Sequence, residues 1–159
     1  EERVGDRLRA AWAEEFDPML AEIAPMDGAR DLLAGLRADG ARVVLASSGK
    51  QRHVEAFLDL IDGREVAEAW TTSDDVAATK PEPDILRAAL EKLGLGDSPP
   101  EGSDVVVIGD STWDCIAAER LGVASLAVRT GGFSDEELRG AGAGDVFEGL
   151  PELARALRS

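Results

Sequence analysis

The sequence has little cysteine, few positive charges and no long hydrophobic run. Its 159 residues include a single cysteine, Cys115, which cannot form a disulfide within the chain. Lys and Arg number 17 against 32 Asp and Glu, giving a formal net charge of -15. With no Lys- or Arg-rich run to offset it, this charge repels nucleic acid and anionic membranes. Because no segment resembles a secretory signal or a membrane span, we expect a soluble cytoplasmic protein.

The length and composition are typical of one globular domain. Hydrophobic residues make up 44% of the chain and charged residues 31%, and a chain of this size can bury one core. The first residue is Glu1 rather than methionine, and the residues up to Val4 already follow a helical pattern with no capping residue before them. We therefore expect these residues to begin inside a longer protein.

Strand patterns alternate with helix patterns along the chain. Apolar residues at three- and four-residue spacing, or runs between turn residues, predict helices at 4–20, 28–39, 51–60, 83–93, 113–121, 134–139 and 151–157. Short, β-branched apolar runs predict strands at 42–46, 65–70, 105–108, 124–128 and 145–147. This alternation is typical of an α/β fold, a Rossmann-like parallel sheet flanked by helices.

Ligands of open α/β sheets bind beyond the carboxyl ends of the strands. The first predicted strand is followed by Ser47, Ser48 and Gly49, and then by a helix. Free backbone N–H groups and the dipole at such a turn favour an anion such as phosphate, and the Ser47 hydroxyl could add a donor. The alternative is that Ser47 or Ser48 only caps the helix.

A lysine stands in an unusually rigid setting before the fourth predicted helix. Lys80 precedes Pro81-Glu82-Pro83, so its backbone is pushed toward an extended shape and Pro83 suits the start of a helix. This loop could aim the ammonium group at a phosphate or at an anionic nucleophile. The alternative is an ordinary solvated lysine.

Two aspartates follow the most regular of the predicted strands. Asp110 and Asp114 lie four residues apart in a turn that begins at Gly109 and enters a helix. Hard oxygen ligands of this kind suit Mg²⁺, which binds through one or two carboxylates together with water and substrate phosphate. The alternative makes Asp110 a turn residue and Asp114 a charge of the first helical turn.

Other reactive side chains have simpler interpretations. His53 is expected to be a solvent-facing helix residue, and Cys115 to be a small core residue. Asp74 and Asp75 follow a strand and are expected to be turn or capping residues rather than metal ligands. None of them enters the predicted site.

Ser47, then Lys80 before its Pro-x-Pro loop, then Gly109-Asp110 with Asp114 resemble, in this order, the motifs of the haloacid dehalogenase superfamily. The resemblance is to its phosphoglycolate-phosphatase-like and β-phosphoglucomutase-like members. It implies that residues 1–24 are the C-terminal part of a helical cap and that 25–159 are the core. It also implies that Ser47, Ser48 and Lys80 bind the phosphoryl group and that the two aspartates hold Mg²⁺, with Ser47, Lys80 and Asp110 taking part in catalysis.

One element of that family is missing from these residues. Its Asp-x-Asp-x-Thr motif, which carries the nucleophile and the general acid-base, has no counterpart in this sequence. We expect this motif on an upstream segment that also supplies a central strand of the sheet. Without that strand, a gap would remain between the strands ending at Ala46 and Ile108. These residues alone are therefore expected to be inactive.

The expected activity of the natural protein is Mg²⁺-dependent hydrolysis of a small phosphorylated metabolite, through an aspartyl phosphate on the missing segment. A mutase that passes the phosphoryl group to a sugar hydroxyl is the nearest alternative. A catalytically silent binding module remains open, and a dehalogenase is disfavoured because that chemistry needs no cation. The substrate and the oligomeric state cannot be inferred from the sequence.

Overall fold

Helices and short parallel strands alternate along the chain from Ala29 onward. A computed structural model describes residues 2–76, 80–102 and 104–158. Its helices are α1 (Glu2–Met19), α2 (Ala29–Ala38), α3 (Gln51–Leu60), α4 (Gly63–Val66), α5 (Asp84–Lys92), α6 (Thr112–Leu121), α7 (Asp135–Gly140) and α8 (Leu150–Ala156). Its strands are β1 (Val44–Leu45), β2 (Ala69–Trp70), β3 (Val106–Gly109), β4 (Ala124–Val128) and β5 (Asp145–Phe147). The predicted α/β class is confirmed.

The strands of the described residues form two parallel sheets. One contains β1 and β2, and the other has the order β3-β4-β5. Across residues 2–76, 80–102 and 104–158, no ladder joins β1 to β3. The sheet therefore divides between the two strands that end near Ala46 and Ile108, where we expected a gap.

The three-stranded sheet is covered by helices on both faces. Successive side chains of a strand point to opposite faces, and β4 shows this clearly. Val128 packs with α2 and α8, whereas Ala127 packs with Cys115 of α6 and Leu138 of α7. Cys115 is 1% exposed, which confirms the prediction that it is a core residue.

Helix α5 contacts both sheets. With α6 it forms an apolar cluster against which Ala46, just after β1, and Val107 of β3 both pack. The opposite face of β3 is open, because Val106 and Ile108 remain 48% and 37% exposed. The apolar cluster of α5 and α6 therefore links the two sheets by direct packing. One of them contains β1, which leads to Ser47, and the other contains β3, which leads to Asp110.

The predicted strand at 65–70 is only partly correct. Asp62 adopts a left-handed conformation with φ of 55°, and the chain then forms the short helix α4 before β2 begins at Ala69. Gly63 begins this helix in a crowded place, because a Cβ there would lie 2.9 Å from Cδ2 of Leu58 and 3.1 Å from Cδ1 of Leu45. The first two residues of the predicted strand therefore belong to α4 instead.

Helix α1 ends one residue after Pro18 and is followed by a 3-10 turn at Leu20–Glu22. Much of its apolar side is exposed, including Val4 at 60% and Leu8 at 66%. Among the residues that the structure describes, no helix is both long and apolar enough to cross a bilayer.

The prediction that His53 faces solvent is wrong. His53 of α3 is 3% exposed, because α1 lies over it. Its Nε2 is 2.8 Å from Oδ1 of Asp17, and the rings of Trp12 and Phe16 pack edge-on against the imidazole. Arg52 approaches Oδ2 of Asp17 to 2.8 Å. The hydrogen bond with His53, helped by Arg52, holds the pKa of Asp17 below its ordinary value.

We predict that Asp17→Asn loosens α1 from the core, because the substitution removes the charge that both Arg52 and His53 approach. Backbone amides of α1 should exchange with deuterium faster than in the wild type at neutral pH, while amides of α5 and α6 should not change. Glu14→Gln, at an exposed carboxylate of the same helix, is the matched control. If α1 exchanged equally fast in the two variants, Asp17 would not be the residue that holds α1 against the core.

Candidate active site

Asp114 lies in the first turn of α6, where β3 passes into the helix. Ser111 is the N-cap residue, and its hydroxyl accepts from the N–H of Asp114 at 3.2 Å. In return, Oδ2 of Asp114 accepts from the Ser111 hydroxyl at 2.6 Å and from its N–H at 3.1 Å. This reciprocal capping box fixes the carboxylate near the positive end of the helix dipole.

Lys80 reaches the same carboxylate from a different loop. Its Nζ is 2.5 Å from Oδ1 of Asp114, whose side chain is largely buried, while the Lys80 side chain is partly exposed. Arg120 of α6 holds the lysine's loop in place by donating to the carbonyl of Pro81 at 3.2 Å and to Oε1 of Glu82 at 2.6 Å. The Lys80–Pro81 peptide bond is cis. The predicted rigid loop thus delivers its ammonium group to the acidic turn.

The charge of Asp114 is set by opposing effects. Burial raises the pKa of this carboxyl, but hydrogen bonds from Lys80 and Ser111 and the charge of Lys80 outweigh burial, so the pKa lies below its ordinary value. Asp114 is therefore a carboxylate at neutral pH. It forms an ion pair with Lys80, whose side chain remains 28% exposed.

Gly109 is required by the close approach of the strand to Asp114. A Cβ at this position would lie 2.4 Å from Cβ of Asp114 and 2.8 Å from its Oδ2. Since no side chain fits there, the glycine allows the carboxylate to fold back over the end of β3. The N–H of Asp110 then donates to Oδ2 of Asp114 at 3.3 Å.

Asp110 is less encumbered than Asp114. Its side chain is half-buried, and Oδ2 accepts from the hydroxyl of Thr130 at 3.3 Å. Gly131 lies directly against it, since a Cβ at Gly131 would be 2.1 Å from the backbone oxygen of Asp110. The segment after β4 therefore packs onto the acidic turn and contributes a polar group to it.

Ser47 has a separate set of contacts at the end of β1. Its hydroxyl accepts from the N–H of Gly49 at 3.1 Å, and its own N–H donates to the hydroxyl of Thr71 at 2.9 Å. Neither Ser47 nor Ser48 caps α3, because the N-cap residue is Lys50 and its side chain makes no capping hydrogen bond. The capping alternative is therefore wrong, and Ser48 is exposed.

The structure connects only part of the predicted site directly. Lys80, Asp110 and Asp114 belong to one network of contacts, whereas no hydrogen bond or ion pair of the described residues joins Ser47 or Ser48 to it. Asp75 caps the turn at Ser73–Asp75, and this confirms its prediction as a capping residue.

Sequence reasoning missed Thr71 and Thr130, which follow β2 and β4 and touch Ser47 and Asp110 respectively. Inspection of every strand end would have found both.

The oxygen ligands at the acidic turn fit a magnesium ion. Mg²⁺ binds through one or two carboxylates and keeps water and substrate phosphate in its remaining positions. Asp110 offers a carboxylate with one hydroxyl donor on it, while both oxygens of Asp114 already accept from Lys80, Ser111 or the N–H of Asp110. Within the described ranges no cluster of three or more His, Cys, Asp or Glu is present. The turn therefore offers two carboxylates, of which Asp110 has the fewer hydrogen-bond partners.

Comparison with known proteins gives consistent matches. The haloacid dehalogenase-like hydrolase family matches residues 3–122. A phosphoglycolate phosphatase of Rhodospirillum rubrum is 31% identical over 147 residues, covering 92% of this chain and 58% of its own length. The crystal structure of a hydrolase from Pseudomonas syringae superposes with a TM-score of 0.87 at 29% identity, covering 99% of this chain and 71% of that one. The chain spans about three fifths of the length of the first curated relatives it matches.

We predict that Gly109→Ala destabilises the protein by about 1–3 kcal/mol, because the new methyl group forces Asp114 and the start of α6 to move. Gly140→Ala is the matched control, since a Cβ there meets nothing within 4 Å, and its unfolding free energy should stay within about 1 kcal/mol of the wild type. Urea unfolding of the natural protein measures both. A Gly109→Ala variant as stable as Gly140→Ala would refute the close approach.

We also predict that Asp114→Asn costs about 1–3 kcal/mol at neutral pH, because Lys80 loses its partner. Asp110→Asn should cost less than about 0.5 kcal/mol. Since the pKa of Asp114 is lowered by folding, the wild-type advantage is complete above the unfolded pKa of about 3.9. The advantage is then lost as the pH falls through the lower folded pKa. Urea unfolding measured between neutral pH and about pH 3 tests this, and an advantage independent of pH would contradict it.

Proposed function

The chain belongs to the haloacid dehalogenase-like hydrolase superfamily, in the branch of phosphoglycolate phosphatases and β-phosphoglucomutase-like proteins, and we propose on this premise that it forms most of a magnesium-dependent phosphatase. The substrate class we propose is a small phosphate monoester. The observation that carries the proposal is the placement of Lys80 against Asp114, beside the freer carboxylate of Asp110, at the carboxyl end of β3.

Residues 1–24 would then be the end of a cap and residues 25–159 the core. In support, α1 and its 3-10 turn precede the first element of the strand–helix alternation. The nucleophilic aspartate and its acid-base partner would lie on a segment outside these 159 residues, close to the division between β1 and β3. The phosphoryl group would pass to that aspartate as the acid-base partner protonates the departing alcohol. Water, giving a proton back to that partner, would then attack the phosphorus of the aspartyl phosphate and release inorganic phosphate and the free aspartate.

Lys80 would act by charge. The side chain is partly exposed, and within the described ranges its ammonium group contacts no acceptor besides Asp114, so its remaining donors would be available to a phosphoryl oxygen. A lysine carries three donors on one ammonium group. Fixed donors placed where negative charge develops lower the barrier of phosphoryl transfer. In this view Asp114 keeps the lysine aimed at the phosphoryl group.

Asp110 would be the main protein ligand of the metal, with Asp114 completing the acidic turn beside it. A bound Mg²⁺ would supply positive charge to the phosphoryl oxygens. Asp110 suits this task because its carboxylate receives one hydroxyl, from Thr130, and that contact limits its rotation. A hydrogen-bonded ligand of this kind is oriented before the metal binds.

Ser47 and Ser48 would bind the phosphoryl group from the end of β1. Within the described ranges the Ser47 hydroxyl accepts from Gly49 and donates to no protein acceptor, so its hydrogen is available to an anion. Ser48 is exposed in the same turn. The two halves of the site, at Ser47 and at Lys80, would then bind one phosphoryl group from two sides.

We predict that the natural protein containing this chain releases phosphate from p-nitrophenyl phosphate only with a divalent cation. Asp110→Asn should lower kcat on the order of 100-fold, because it removes a charged metal ligand. Asp104→Asn is the matched control, since Asp104 is exposed near the opposite end of β3, and it should leave kcat unchanged. An inert natural protein, or release that survives chelation of the cation, would sink the proposal.

A further inference from the structure

A buried threonine lies between the ends of β1 and β2. Thr71 follows β2 directly and is 0% exposed. Its hydroxyl accepts from the N–H of Ser47 at 2.9 Å and donates to the carbonyl of the same residue at 3.0 Å. One side chain therefore satisfies both backbone groups of Ser47.

This contact replaces a step of the sheet ladder. Leu45 pairs with Trp70, and the N–H of Thr71 donates to the carbonyl of Leu45 at 3.0 Å. In a regular parallel ladder the next bond would run from the N–H of Ser47 to the carbonyl of Thr71. Here the N–H of Ser47 bonds to the hydroxyl of Thr71 instead. The backbone leaves the regular ladder at Ser47 while remaining attached to β2.

The departure from the ladder determines where the Ser47 hydroxyl points. After Ser47 the chain turns back, so that the N–H of Gly49 donates to the Ser47 hydroxyl at 3.1 Å. The carbonyl of Gly49 accepts from the N–H of Ser73, two residues after Thr71, at 2.8 Å. The turn is therefore attached to the β2 end at two points, one through Thr71 and one through Ser73. Only the first involves a side chain.

The neighbouring threonine has a different task. The Thr72 hydroxyl caps the turn at Ser73–Asp75, and Asp75 in turn pairs with Lys92 at 2.8 Å. None of these contacts involves Ser47. The contact of Thr71 with Ser47 is therefore distinct from the capping of the turn that follows it.

We propose that Thr71 is a positioning residue that holds the Ser47 hydroxyl in place to donate to a phosphoryl oxygen. The inference rests on the proposed function, because it assigns Thr71 to the Ser47 half of the phosphate site. Thr71 itself is buried and does not touch the phosphate. Valine has nearly the same shape as threonine but can neither accept from nor donate to Ser47.

The test measures the binding of inorganic phosphate to the natural protein by isothermal titration calorimetry, with saturating Mg²⁺. Thr71→Val and Ser47→Ala should each raise the Kd for phosphate about 10-fold, the effect of losing one good hydrogen bond. Because Thr71 acts through Ser47, the double variant should bind no more weakly than Ser47→Ala alone. Thr71→Ser keeps the hydroxyl and should bind within about twofold of the wild type.

Ser125→Ala controls for the general effect of losing a buried hydroxyl. Ser125 is 3% exposed on β4, where its hydroxyl donates to the carbonyl of Gly142 at 3.3 Å and contacts Cys115, and no hydrogen bond of the described residues joins it to Ser47 or Thr71. This variant should lower Tm without changing the Kd for phosphate. Circular dichroism at the assay temperature confirms that every variant compared is folded.

Three results would overturn the inference. Thr71→Val could bind phosphate as tightly as the wild type while losing stability as Ser125→Ala does, which would make Thr71 a purely structural residue. The effects of Thr71→Val and Ser47→Ala could add in full, which would mean that Thr71 acts on phosphate by another route. A wild type that binds no phosphate would overturn the proposed function, and this inference with it.

Discussion

The carboxylate of Asp114 is the point on which the site depends, because three segments of the chain meet at it. It receives the ammonium group of Lys80 from the loop before α5, the N–H and hydroxyl of Ser111 at the start of α6, and the N–H of Asp110 at the end of β3. A buried carboxylate needs such partners, since leaving it unpaired would cost several kcal/mol. The same contacts that stabilise Asp114 therefore set the position of Lys80 relative to Asp110.

A second local network controls the other half of the site. Thr71 and Gly49 hold Ser47 at the end of β1, and no ladder of the described residues connects that strand with β3. The packing shared by the two halves is the apolar cluster of α5 and α6, on which Ala46 and Val107 rest. Substitutions in this cluster would shift β1 relative to β3, and so Ser47 relative to Asp110, without touching either residue. Close packing transmits such changes because the interior has few voids.

The contacts between α1 and α3 add a further link to the Ser47 half. Arg52 and His53 lie in the first turn of α3, directly after the turn that contains Ser47, and both contact Asp17 of α1. The aromatic rings of Trp12 and Phe16 cover the imidazole. The position of α1 is thus tied to α3, which begins a few residues after Ser47, the proposed phosphate contact.

The sequence alone was sufficient for the elements whose signals are local. Gln51–Leu60 and Ala124–Val128 form as their patterns predict, and the turn from Gly109 to Asp114 was recognised from its glycine and its two aspartates, which stand within a few residues of each other. The capping role of Ser111 was seen only in the structure. The family followed from the order of such motifs, and the α/β class followed from the alternation of strand and helix patterns. What the tertiary structure alone decided concerns partners distant in the chain. His53 is buried by α1, whose Asp17 lies 36 residues away in the chain. The start of the strand predicted at 65–70 belongs to α4 instead. Thr71 and Thr130 joined the site through contacts with residues 24 and 20 positions away. Periodicity and capping report the neighbours of a residue along the chain, and only packing determines which distant segment supplies its remaining contacts.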